Sequence, residues 1–155
     1  MNAEQVTSTE RSARAGIDPR GPRFGAALTA ILLMAAVLLG ETLAGQVVLA
    51  VVVTSFALGA ARGAQGTWQG LVFRSLVRPR LSPPTELEDP APPRFAQTVG
   101  LVITGAGLIL ALAGVPWAVT ASAAIALVAA FLNAAFGFCL GCEMYLIGRR
   151  LRRAR

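Results

Sequence analysis

The chain has no histidine and no lysine, and only two cysteines and one tyrosine among its 155 residues. Without histidine it lacks the commonest metal ligand and the commonest general base. Two cysteines, Cys139 and Cys142, are too few for a disulfide-framed secreted scaffold. Charge is also scarce, at 14% of residues, where soluble domains carry about 25%. The net charge of +6 invites a nucleic-acid reading, but the positions of the charges argue against one, as shown below.

What is abundant is apolar surface. Hydrophobic residues make up 55% of the sequence and the mean hydropathy is +0.63. One soluble core of this size cannot hide that much apolar surface, whereas a bilayer can. A span needs about 20 mainly apolar residues. Four segments qualify, at about 24–44, 46–62, 95–113 and 117–138, and the last is read as continuing in helical form to Ile147. The polar stretch before Phe24 is long for the n-region of a cleavable signal, so the first segment is read as a span. Short links join spans one and two, and spans three and four. A long link over 63–94 joins the two hairpins, and residues 62–94 hold six of the nine prolines.

All 14 basic residues are arginine, and all lie before span one, at the last residue of span two, between spans two and three, or after span four. Neither hairpin tip has one. Because arginine stays on the cytoplasmic side, both termini and the loop 63–94 are expected there. The fold class is therefore all-α, a four-helix transmembrane bundle of two tandem hairpins. Residues 1–16 are expected to be a disordered arm, 17–150 the membrane domain and 151–155 a basic tail. Within the loop, residues 67–77 read either as a short interfacial helix or as the frayed end of span two. Residues 79–93 should be extended and solvated.

The sequence also repeats itself. Asp18-Pro19-Arg20-Gly21-Pro22-Arg23-Phe24 matches Asp89-Pro90-Ala91-Pro92-Pro93-Arg94-Phe95 at an offset of 71. Over 18–80 against 89–151 only 13 of 63 positions are identical, so the seven-residue motif carries the argument. Each unit holds two spans entering from the same side, which makes a parallel pseudo-repeat. Arg23 and Arg94 read either as holding an anion in a shared vestibule or as anchoring to lipid phosphate.

The chemistry rests on Asn133 to Tyr145 (NAAFGFCLGCEMY). Positions i and i+3 share a helix face, so Cys139 and Cys142 are neighbours. Three readings stay open. One is a redox dithiol, with Gly137 and Gly141 loosening the helix, nearby arginines favouring thiolate and Glu143 opposing it. Another is half of a zinc shell, which only a dimer could complete. The third is a pair of small apolar residues that simply pack. Asn133, an intramembrane amide, is expected to make a structural hydrogen bond between helices. Ser122, Ala126, Ala130 and Ala134 form a small-residue stripe for close packing. Glu41 is expected to be a solvated helix end.

Together, the motif at 17–24, Leu76–Pro84 (LVRPRLSPP), Glu86–Gln97 (ELEDPAPPRFAQ) and Asn133–Tyr145 resemble a bacterial integral membrane family catalogued as domain of unknown function 4395. The resemblance covers roughly 17–150 and supplies no catalytic residue. It implies a small multi-pass protein of the bacterial inner membrane, with thioredoxin-like or sulfurtransferase proteins as soluble partners. The reading that follows is a membrane thiol-disulfide or sulfur-relay component using Cys139 and Cys142, with Arg23, Arg94 and Glu143 tuning charge around them. The alternative is a non-catalytic scaffold that docks a partner through the proline-rich loop. The expected surroundings are the lipid bilayer, with no cofactor, no metal and no nucleic acid; a homo-oligomer is compatible with the sequence.

Overall fold

A computed structural model describes residues 16–154. The expected disordered arm lies outside the described residues except for Gly16, and Arg155 of the basic tail also lies outside them. Among the described residues six α-helices run in order: α1 (Arg20–Leu39), α2 (Leu43–Arg62), α3 (Trp68–Val72, prolonged by a π-helical turn Phe73–Val77), α4 (Ala91–Leu112), α5 (Ala118–Phe136) and α6 (Leu140–Arg153). The architecture is all-helical, and α1, α2, α4 and α5 are each long and apolar enough to cross a membrane. Their outward faces agree with that: Leu38, Val102, Ile109 and Ile125 are all more than half exposed. Water would not tolerate so continuous an apolar surface.

The repeated motif starts two of these helices. The Asp18 carboxylate accepts from the Arg20 backbone N–H at 3.0 Å, and the Asp89 carboxylate accepts from the Ala91 N–H at 2.9 Å. Each aspartate thus satisfies a donor that the first turn leaves orphaned, and the prolines lie in or beside that turn, where a missing N–H costs nothing. α1 and α4 therefore begin four residues ahead of the apolar run, at Arg20 and Ala91. Asp18 also pairs with the Arg20 guanidinium at 2.9 Å. That hydrogen bond holds the buried carboxyl below its usual range, against the opposing effect of burial.

The motif arginines then tie the bundle together. Arg23 donates to the Ala134 carbonyl at 3.5 Å, near the end of α5. Arg94 donates to the Ala60 and Ala61 carbonyls at 2.7 and 2.8 Å, at the end of α2. The start of α1 thus meets the end of α5, and the start of α4 meets the end of α2, so both pairs run antiparallel. Cations at helix C-termini are favourably placed. The core between the helices is small-grained: Leu33, Leu49, Val52, Val119 and Ala123 are fully buried. Helices α4 and α5 touch through Gly107, whose missing side chain leaves room for Ser122. Ser122 and Ala126 of the small-residue stripe are buried at such contacts, as packing between helices in lipid requires.

The structure refines the sequence reading of the loop at two points. Gly63 ends α2 with a positive φ of 81°, and Thr67 caps a separate helix, its Oγ1 accepting from the Gly70 N–H at 3.1 Å. The helical stretch from Trp68 is therefore not a frayed continuation of span two. It is held inward by the Trp68 Nε1–H donating to Ser55 at 2.7 Å and by Phe73 packing on Phe24. The segment after Arg80 is extended and exposed, but Ile17 and Glu88 exchange two backbone hydrogen bonds of 2.9 Å, which tether it to the start of α1.

At the opposite end Glu41 is not a free solvated end. Its carboxylate accepts from the backbone N–H groups of Val119 and Thr120 at 3.2 and 3.0 Å, and from the Thr120 hydroxyl at 3.2 Å. It therefore caps α5 from another helix pair. Desolvation pushes its pKa up, but these donors outweigh it and the net shift is down. A lowered folded-state pKa means that the contribution is complete above the ordinary value of 4.5 and is lost as pH falls through the folded pKa. Asp18 shifts the same way, so the wild type should lose thermal stability below about pH 4.5. Glu41→Gln should start less stable near neutrality and lose less on acidification, as read by unfolding in detergent across that range. Parallel curves for the two proteins would contradict this role.

Candidate functional site

The segment after α5 does not continue as one helix to Ile147. Gly137 takes a left-handed backbone (φ 69°), and its N–H bonds back to the Asn133 carbonyl at 3.0 Å. A side chain there would be strained. Phe138 and Cys139 lie outside any helix, Cys139 is extended, and α6 begins at Leu140 with Cys139 as its N-cap. The thiol pair thus sits at a helix start and not on the face of a continuous helix.

Cys139 and Cys142 are disulfide-bonded, with their Cα atoms 5.2 Å apart. The Cys139 Sγ also accepts from the Cys142 backbone N–H at 3.3 Å. Sulfur here occupies the place that a serine or threonine oxygen usually takes at an N-cap, the same device that Thr67 supplies for α3. An N-cap thiolate would sit at the positive end of the α6 dipole and accept from the Cys142 N–H, both of which favour the anion. Both cysteines are half-buried.

Two cavities meet at Cys139. One, of about 330 Å³, lies between the two copies of the motif and is walled by Arg23, Glu88, Asp89, Asn133, Cys139, Cys142 and Glu143. The other, of about 230 Å³, runs among the spans and is lined mainly by apolar side chains of α1, α4, α5 and α6, with Cys139 and Asn133 again at its edge. The break at Gly137 is what brings Asn133 and Cys139 to the same walls, although they would face apart on a straight helix. Arg23 stands beside Gly137, and Glu143 sits in the first turn of α6, where its charge opposes that of a thiolate. Five of the residues singled out in the sequence are therefore assembled here. Arg94 is not; it stands apart at the end of α2. Among the described residues, no three histidine, cysteine, aspartate or glutamate side chains converge in a way that could hold a metal.

Helix α6 is docked on α4. Gly141 lies directly on the backbone of Ala96, at a spacing that leaves no room for a side chain. Tyr145 packs on Phe95 with centroids 5.7 Å apart, and Arg149 lies 5.8 Å from the Tyr145 ring. Gln97, an amide on the wall of the apolar cavity, is not among the residues singled out in the sequence, although its place inside an apolar span is the same signal that marks Asn133.

No curated protein and no solved structure matches the chain. A family model does match, over residues 17–150, which take in every span, the motif copies and the thiol pair; the chain belongs to the family described as Domain of unknown function (DUF4395).

Proposed function

We propose that this is a multi-pass membrane protein whose Cys139–Cys142 pair exchanges electrons with a soluble thiol protein at the arginine-rich end of the bundle. The observation that carries the reading is a disulfide at the N-terminus of α6 opening on a charged cleft. By the placement of arginine that end is cytoplasmic, together with both termini and the loop, in a membrane of the bacterial inner-membrane type. The exchange balances without a cofactor. A thiolate of the partner attacks one sulfur of the pair and the other leaves as thiolate. The partner's second thiol then resolves the mixed disulfide, so that the partner is oxidised and Cys139 and Cys142 end as thiols. In a cytosol the pair would rest reduced and cycle transiently. Arg23 at the mouth of the cleft supports an anion there, and Glu143 limits how far the thiolate is favoured. Thioredoxin-like and sulfurtransferase proteins are partners of suitable chemistry.

The two halves are read as copies of one hairpin. The shared aspartate bonds at the helix starts and the arginines that each reach across to the other half support that reading. Only the second copy carries thiols, so the first keeps the framework alone.

To test the function, the purified protein is equilibrated at a series of glutathione redox potentials and its free thiols are tagged for mass measurement. The expected result is a two-electron transition between two tagged thiols and none. Cys139→Ser and Cys142→Ser should each show one tag at every potential. A pair that stays fully reduced or fully oxidised across the series would remove the redox reading and leave the docking scaffold.

A further inference from the structure

We infer that the apolar cavity beside Cys139 binds a lipid-soluble quinone, which takes the electrons that the thiol pair receives; the inference rests on the redox reading above. Four observations carry it. First, Cys139 borders both cavities, whereas Cys142 borders only the charged one. One sulfur is thus shared between an aqueous and an apolar approach. Second, the apolar cavity reaches the outer face of the bundle, since Ile125 and Met144 line it and are 59% and 54% exposed. A ligand can therefore enter sideways from the bilayer. Third, its volume of about 230 Å³ suits a substituted ring but not a long isoprenoid tail, which would leave through that opening. Fourth, the wall is not purely greasy: Gln97 and Asn133, which carry carboxamides, are among its lining residues. An acyl chain has no use for these, whereas ring carbonyls accept from such donors, and amides at membrane depth call for partners.

The reaction balances. The Cys139 and Cys142 thiols give two electrons and two protons to the quinone; the S–S bond forms and the quinone leaves as quinol. A soluble dithiol then reduces the disulfide from the charged side. The net reaction is oxidation of a soluble dithiol by membrane quinone, with the two substrates kept on opposite sides of one sulfur.

The test uses the full chain in lipid nanodiscs, reduced, freed of reductant and mixed with decylubiquinone, whose fully substituted ring offers no position for thiol addition. One quinone should be consumed per disulfide formed, with a rate that saturates in quinone. Ile103→Trp and Ala130→Trp, which fill the cavity, should raise the half-saturating concentration about tenfold or more, while the glutathione equilibrium stays as in wild type. If those variants fail to fold, a photoreactive azido-quinone on the wild type serves instead, and its label should fall on the cavity-lining parts of α4 and α5. A pair that equilibrates with glutathione but is not oxidised by the quinone, or reacts without saturation, or a label confined to the outer faces, would overturn the quinone site and leave thiol exchange standing. A pair inert to glutathione as well would remove both.

Discussion

Gly107→Leu should lower the unfolding midpoint sharply, while Gly105→Leu, one half-turn away on the same helix, should leave it nearly unchanged. A side chain on Gly107 would run into Ser122 and toward the Ala118 carbonyl oxygen, 3.1 Å from the new Cβ, whereas one on Gly105 meets nothing within 4 Å. Overpacking costs about 1–3 kcal/mol where side chains can shift. Here part of the obstacle is backbone, so the cost lies at or above the top of that range. In lipid there is no hydrophobic force to press the helices back together, and close contact is itself the adhesive. A net stability of about 5–15 kcal/mol would lose a large share of itself at this one contact. Thermal unfolding in detergent, with protease sensitivity as a second readout, measures it. Equal midpoints for the two variants would mean that α4 and α5 do not touch at Gly107.

The second large effect concerns the thiols and spares the bundle. Gly141→Leu should tip α6 off α4, because its Cβ would fall 2.6 Å from the Ala96 Cα; Gly148→Leu on the same helix meets nothing within 4 Å and is the control. No residue of α6 is buried, so the unfolding midpoint should hardly move. The thiol–disulfide equilibrium should move, since the helix that caps and orients Cys139 would no longer be fixed. A tenfold shift, ~30 mV for a two-electron couple, is the size expected of a displaced cap and lost contacts around one sulfur. The glutathione titration reads it directly. An unchanged potential in Gly141→Leu would show that the docking of α6 does not matter to the pair.

The four spans were legible because apolar length is a property of composition, which tertiary context does not alter. Their ends were less so. The proline-rich motifs look like approaches to a helix, yet Asp18 and Asp89 draw them into the first turn. Glu41 read as a solvated end because its partners, Val119 and Thr120, lie 78 and 79 positions further along, where local pattern carries no information. The thiol site was legible in its residues and not in its shape. An apolar run containing Gly137 reads by default as continuing helix. Only the left-handed turn there, with Arg23 beside it, turns two cysteines on a helix face into a helix start between two cavities. Arg94 matches Arg23 in sequence but has no thiol near it, because it stands at the end of α2 and both cysteines follow α5.

The bonds that cross between the helix pairs bear on how the protein is made. Arg23 waits for a carbonyl 111 residues downstream, and Glu41 for N–H groups nearly 80 residues downstream. During translation the first two spans would therefore hold these ionic groups against water or lipid headgroups until the last span arrives. A ribosome stalled midway would leave a half-protein dependent on the insertion machinery, or on a second nascent chain, to shelter it.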